Sequence, residues 1–218
     1  MGVPHGYTAN FAGTINTREA VGLTRITSGE SMPLLRPSPS NQMWKAYQDG
    51  LMEMIELDRS PTGLPEGLPQ PIYVLHLAEI AGGKGLSAAK HTAWRFYRGT
   101  FAGPAVAIEV GRTARGLRPR MTSLSDGHAV QVTFQQVSRV ERFSPVRAAD
   151  YELRRLKIPG ASTVFWLKSH IEGKDLVVPI AGKLPGMKYL EPYPAEKFLA
   201  ALRPIALARQ QKNNEPRK

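Results

Sequence analysis

The sequence predicts an α+β domain on an antiparallel sheet of about five or six strands, with three main helices and a non-globular N-terminal arm. Three observations favour this fold class. Several segments alternate apolar and polar residues, as half-buried antiparallel strands do. Strands and helices do not follow one another in the regular order of a doubly wound parallel sheet. With 42% hydrophobic and 22% charged residues, the chain has the composition of an ordinary globular domain.

The first forty residues differ from the rest of the chain. They carry Gly, Thr, Ser, Asn and Pro at short intervals and end in Pro33, Pro37 and Pro39, with no sustained helical or strand period. We expect residues 1–40 to form an extended or disordered arm that contributes little to the core. Its scattered apolar residues favour docking on its own domain, or on a second copy in a homo-oligomer.

The single predicted domain covers residues 41–209. It begins with a helix over Asn41–Asp58, because Asn41 is a good N-cap and apolar residues follow at helical spacing. A Pro- and Gly-rich linker precedes a strand at Ile72–Ile80. After a Gly-rich turn, Leu86–Lys90 forms a helical turn. Two alternating strands, Thr92–Tyr97 and Ala105–Val110, complete the first half.

The second half continues with a strand over His128–Val137, where Val130, Val132 and Phe134 alternate with polar residues. Ser144 and Pro145 then begin a helix with Val146, Ala149, Leu153 and Leu156 at helical spacing, and Gly160 ends it. The segments Thr163–Ile171 and Leu176–Ile180 flank a turn and predict a hairpin. A last helix begins at Pro194, and Pro204 is expected to kink or end it. Residues 210–218 form a disordered basic tail.

Positive charge is unevenly distributed along the chain. Residues 1–109 balance nine Lys/Arg with nine Asp/Glu, whereas residues 110–218 hold twenty and nine and so carry the whole net charge of +11. Such an asymmetry indicates an anionic partner for one face, either an acidic protein surface or nucleic acid. Surplus Lys and Arg also serve plain solubility, so a solvated surface is the alternative.

The densest basic segment lies between two predicted strands. Gly116 and Pro119 prevent a regular helix there, so the arginines sit on a loop and are free to surround carboxylate or phosphate groups. Trp94, Phe96, Tyr97 and Trp166 offer a stacking platform beside it, although aromatic residues at strand spacing are more often core. A mobile, solvated connection is the alternative for the loop itself. The candidate anion-binding residues of this segment are Arg112, Arg115, Arg118 and Arg120.

Lys84 is a further candidate, because the run Gly82–Gly85 follows a strand and its amides are suited to cradle a phosphate. The spacing does not match a Walker loop, and a flexible turn is the alternative. The absence of cysteine excludes thiolate catalysis and every Cys-based metal site. The five histidines are not paired at helical metal-binding spacing. Glu79 and Glu109, near strand ends, form a carboxylate pair only if their strands are neighbours.

These features predict a non-catalytic binding or assembly protein that uses its basic C-terminal half to engage an anionic partner. We expect no cofactor and no metal. The alternative is an enzyme with a polar pocket on the open face of the sheet, of unknown reaction class. No apolar run is long enough to span a bilayer, and no signal peptide is visible. A cytoplasmic location is therefore expected, although a mature periplasmic chain has the same appearance.

Overall fold

The computed structural model describes residues 34–35, 37–56, 69–99, 105–112 and 118–214. In these residues nine strands form one sheet with five α-helices beside it. The fold class is α+β, but the predicted sheet of five or six antiparallel strands with three helices is wrong. The sheet is larger and mixed. Most of the predicted arm and the last four residues lie outside the described residues.

The strands follow the chain in the order β1 to β9. Their bounds are Leu34–Leu35, Gln70–Val74, Lys90–Gly99, Ala105–Arg112, Pro119–Asp126, Tyr151–Ile158, Ser162–Ser169, Leu176–Ala181 and Tyr193–Pro194. Helices α1 to α5 span Asn41–Glu56, Leu77–Ala81, His128–Glu141, Ser144–Arg147 and Ala195–Asn214. A 3-10 turn, Leu86–Ala88, precedes β3. Pro204 lies inside α5 and does not end it.

The sheet has the spatial order β5-β4-β3-β2-β6-β7-β8-β9, and β1 pairs with the first residues of β6. Both β1 and β2 run parallel to β6, whereas every other pair of described strands is antiparallel. The parallel β2–β6 pair arises because the chain leaves β2, forms β3 to β5 and the three helices α2, α3 and α4, and only then returns to pair β6 with β2. The β2–β6 pair therefore joins the antiparallel strands β2 to β5 to the antiparallel strands β6 to β9.

The segment predicted as a strand over His128–Val137 is the helix α3. Its apolar residues fit two periods, because Val130, Val132 and Phe134 alternate while Val130, Phe134, Val137 and Val140 recur at helical spacing. The second set is buried, whereas Val132 is only half-buried. Helical packing therefore overrides the alternation.

The predicted helix from Ser144 is also corrected. Only Ser144–Arg147 is helical, and Tyr151–Ile158 is the strand β6. The apolar residues Leu153 and Leu156 fit helical spacing, but in the strand they point to opposite faces and each is buried. A strand between β2 and β7 buries both of its faces, which a surface helix does not.

The remaining strands differ in how well their sequences predict them. Pro119–Asp126 was not predicted as a strand, because it lacks an apolar alternation; as β5 it lies at an edge of the sheet and pairs with β4. The predicted hairpin is confirmed, since β7 and β8 pair antiparallel from Thr163 with Ala181 to Leu167 with Leu176. The predicted strand at Ile72–Ile80 is shorter and is followed by α2.

Helices cover both faces of the sheet. We name the α5 face after the helix that packs there with α2, burying Leu156, Val164, Trp166, Phe198 and Leu202. On the same face α1 covers Trp94, Phe96, Ile108 and Val110. We name the opposite side of the sheet the α3 face, because α3 and α4 pack there. The residues buried on this face include Tyr97, Ala107, Leu153, Phe165 and Val178. In the described part of the chain no helix is both long and apolar enough to cross a membrane.

Candidate functional site

The predicted arginine cluster lies at the end of the β4–β5 pair. Arg112 is the last residue of β4 and stands opposite Pro119, while Arg120 stands opposite Gly111. Arg118 immediately precedes β5, and Arg115 lies outside the described residues. We call Arg112, Arg118 and Arg120 the hairpin end. All three side chains are exposed, and none forms an ion pair with a described carboxylate.

Arg112 lines a cleft of about 430 Å³ at the start of β3. His91 lies in the same cleft, and its Nε2 is 3.0 Å from the carbonyl oxygen of Ala93. Burial lowers the pKa of His91, and the neighbouring Arg154 lowers it further, against the raising effect of the Ala93 contact. The imidazole is therefore neutral at neutral pH, and Arg112 is the cation among the residues of this cleft, which are Ser40, Met43, His91, Thr92, Trp94 and Arg112.

Arg120 lines a different cleft, of about 590 Å³, between β5 and α1. Asp49 and Glu53 of α1 line it as well. Asp49 is held by Lys45 at 2.9 Å, one turn earlier on the helix. Asp49 and Glu53 therefore reduce the positive potential of the hairpin end near Arg120.

Lys84 lies in the turn after α2, in a cleft of about 460 Å³ against α5. The turn requires glycine at Gly83, whose φ is 79°. Three successive amides of this turn donate to carbonyl groups of α2, with the Lys84 amide 2.9 Å from the oxygen of Glu79. These amides are therefore already bonded within the protein, and the cleft that Lys84 lines is separate from that of Arg112.

The four aromatic residues considered as a stacking platform are not together on an open surface. Phe96 is buried under α1, whereas Tyr97 points to the α3 face. The indole rings of Trp94 and Trp166 share the α5 face, but their residues are only 7% and 3% exposed. Bases have no access to ring faces that are covered in this way.

The two carboxylates considered as a pair serve different purposes. A carboxylate oxygen of Glu79 accepts the backbone amide of His76 at 3.3 Å and so caps α2. Glu109 lies on β4, where it faces Arg95 and Lys157. In the residues that the structure describes, no three His, Asp or Glu side chains gather as metal ligands do.

Sequence reasoning missed a cluster of charged and polar side chains at the centre of the α3 face. Glu109 accepts from Arg95 Nη1 at 2.6 Å and from Lys157 Nζ at 2.8 Å. Beside them the Tyr97 hydroxyl donates to Gln70 Oε1 at 3.2 Å and accepts from Arg155 Nη1 at 3.4 Å. We call this set the central charge cluster; its members are Gln70, Arg95, Tyr97, Glu109, Arg155 and Lys157.

The environment of Glu109 sets its charge. Burial raises the pKa of its carboxyl group, but the hydrogen bonds and positive charges of Lys157 and Arg95 outweigh burial and leave the pKa below its ordinary value. Glu109 is therefore a carboxylate at neutral pH. The sequence contains a signal for the cluster, because Arg95 alternates with Trp94 and Phe96 in β3. Only the strand register shows that Arg95 stands opposite Glu109.

Comparison of the chain with models of protein families, with characterised proteins and with solved structures finds no match. A role for any residue therefore has to come from its own surroundings. Two sets of residues are candidate sites on this basis, namely the exposed hairpin end and the buried central charge cluster.

Proposed function

We propose that this chain is a non-catalytic binding protein that engages an acidic protein surface through the hairpin end. One observation carries the proposal: Arg112, Arg118 and Arg120 are exposed at the end of one strand pair without a carboxylate partner among the described residues. Guanidinium groups bind carboxylates through two parallel hydrogen bonds. Arg112 and Arg120 lie on paired strands and Arg118 lies directly before β5, so the three side chains form a pre-arranged contact for acidic side chains.

The surroundings favour discrete carboxylates over a nucleic-acid backbone. The Arg112 cleft, at about 430 Å³, has the size of a site for one small group. Asp49 and Glu53 beside Arg120 would repel a continuous chain of phosphates. The buried indoles of Trp94 and Trp166 offer no stacking surface.

The remaining positive charge supports the same view, because it is spread over the molecule. Arg139 and Arg147 are exposed on α3 and α4, whereas Arg203 and Arg209 are exposed on α5, across the sheet. A polyanion-binding protein typically gathers its basic residues on one face. A local contact at the hairpin end fits this distribution better than a long basic groove.

Binding is favoured over catalysis by the state of Glu109. Both of its oxygens accept hydrogen bonds from cations, and its pKa is lowered, so it is a poor proton donor and a weak base. Glu79, the other candidate carboxylate, is occupied in capping α2.

The test is a fluorescence anisotropy titration with a labelled acidic peptide, with labelled single-stranded DNA and RNA in parallel, across a salt series. The variant Arg112→Gln/Arg118→Gln/Arg120→Gln should bind the peptide roughly ten- to hundredfold more weakly, because three exposed charge contacts of roughly 0.5–1 kcal/mol each are lost. Its affinity should also depend less on salt.

The matched control is Arg139→Gln/Arg147→Gln/Lys183→Gln, which removes the same charge from exposed positions elsewhere. It should keep most of the peptide affinity. Equal losses in both variants would mean that net charge alone acts, and the site would be rejected. Tighter binding of DNA or RNA than of peptide would replace the acidic protein surface with a nucleic acid as partner.

A further inference from the structure

The central charge cluster holds more positive than negative charge. Its cations are Arg95, Arg155 and Lys157, and its one carboxylate is Glu109, which contacts Arg95 and Lys157; the cluster therefore has a surplus of two positive charges. Arg95 and Glu109 are 7% and 8% exposed, whereas Arg155 is half-buried and the side chain of Lys157 is 35% exposed. A buried charge is costly unless it is paired, and one carboxylate does not balance three cations.

The same cluster contains buried donors without an acceptor. They are Arg95 Nε, Arg155 Nε and Gln70 Nε2. Folded proteins leave few buried donors unsatisfied, so three in one cluster indicate that an acceptor belongs there. The residues Arg95 and Gln70 that carry two of these donors are themselves more than nine-tenths buried, at 7% and 3% exposure.

The three donors belong to one connected arrangement. Gln70 stands directly opposite Arg95 in the β2–β3 pair, which places the two side chains on the same face. Arg155 and Gln70 both contact the hydroxyl group of Tyr97. The Arg95 guanidinium lies 5.3 Å from the centre of the Tyr97 ring. Tyr97 therefore connects all three donor-bearing side chains.

We propose that the central charge cluster binds a small oxyanion, a carboxylate or phosphate group held by Arg95, Arg155 and Gln70. A guanidinium fork matches the planar oxygens of such a group, and the Gln70 amide adds a neutral donor. One or two negative charges would offset the surplus of the cluster. Lys157, whose side chain is 35% exposed, marks the side on which the cluster meets solvent.

This site is independent of the hairpin end. It lies on the α3 face of β2, β3, β4 and β6, whereas the Arg112 cleft lies beside α1 on the α5 face. Either assignment stands if the other fails. The hairpin-end variant should therefore leave binding at the central charge cluster unchanged.

The experiment is a titration of the wild-type protein with sodium phosphate and, separately, sodium succinate, against sodium chloride of matched ionic strength. NMR would follow the Nε–Hε resonances of Arg95 and Arg155. We expect saturable shifts of both resonances with phosphate, succinate or both, and the arm with the lower dissociation constant identifies the preferred oxyanion. Shifts that do not saturate, or that chloride reproduces, would overturn the proposal without any need for a variant.

Two variants localise the binding. Arg155→Gln should weaken the affinity for the preferred anion about tenfold or more, since it removes a charge-assisted donor. Arg139→Gln, an exposed arginine of α3, is the matched control and should bind as the wild type does. The proposal would also fail if Arg155→Gln, shown to be folded by its NMR spectrum, bound the anion with unchanged affinity.

Discussion

The central charge cluster and the hairpin end both place a charged residue on β4, with opposite consequences. Glu109 and Arg112 are both on β4, yet Glu109 is buried between cations and Arg112 is exposed without an ion-pair partner among the described residues. Buried charges depend on their partners, whereas exposed ones contribute little to folding. The burial of a charge therefore decides how strongly its loss should change the free energy of unfolding.

The largest effect is expected at the apolar centre of the sheet. Phe165 is fully buried, and Trp166, which points the other way, is buried as well. Replacing Phe165 with Ala should lower the free energy of unfolding by about 3–5 kcal/mol, measured by urea denaturation. Ile171→Ala, at a side chain that is 64% exposed, is the control and should change it by less than about 0.5 kcal/mol. A loss below about 1 kcal/mol at Phe165 would contradict its burial.

The next effect concerns Glu109. Glu109→Gln keeps the shape of the side chain but leaves Arg95 and Lys157 without a counter-charge, and should cost about 3 kcal/mol of unfolding free energy. Asp49→Asn breaks the exposed ion pair with Lys45 and should cost no more than about 0.5 kcal/mol. If the two substitutions had equal effects, the contrast between buried and exposed charges would be lost.

A pH series sharpens the assignment to Glu109. Because its pKa is lower in the folded than in the unfolded protein, the stabilising contribution is complete above the unfolded value of about 4.3 and declines as the pH falls through the folded value. Stability measured by urea denaturation should therefore decline at acid pH. Glu109→Gln should show a shallower acid decline than the wild type, and identical slopes would assign the dependence to other carboxyl groups.

The smallest effect is expected at Lys84. Its side chain is exposed in a cleft apart from the hairpin end, so Lys84→Gln should change the free energy of unfolding by less than about 0.5 kcal/mol. It should also leave the affinity for the acidic peptide unchanged. A loss of affinity as large as that of Arg112→Gln would instead show that both residues contact the same partner.

Sequence reasoning identified the elements whose apolar residues recur at one spacing only, either that of a helix or that of a strand. Helix α1 and the β7–β8 hairpin were located because turn residues and apolar spacing agree there. It failed where two periods overlap, as in α3, and where a central strand buries both faces, as in β6. The edge strand β5 lacks the apolar alternation that predicts a strand, and it is held in the sheet by backbone pairing with β4.

The charged residues were also only partly predictable. The basic segment around Arg112 stands out in the sequence by its density alone, but its prediction as a loop is wrong for Arg112 and Arg120, which belong to β4 and β5. The central charge cluster could not be found in this way. Its members come from four strands, and their proximity depends on the register of β3 with β4 and on the return of β6 beside β2.

The contrast between buried and exposed charges is tested most directly by one urea-denaturation series. It compares wild type, Glu109→Gln and the triple variant Arg112→Gln/Arg118→Gln/Arg120→Gln. The exposed triple variant should unfold within about 0.5 kcal/mol of wild type, although it removes three charges. Glu109→Gln removes one charge and should lose about 3 kcal/mol. A triple variant that loses as much as Glu109→Gln, or more, would show that the hairpin-end arginines hold the fold together and would contradict the account.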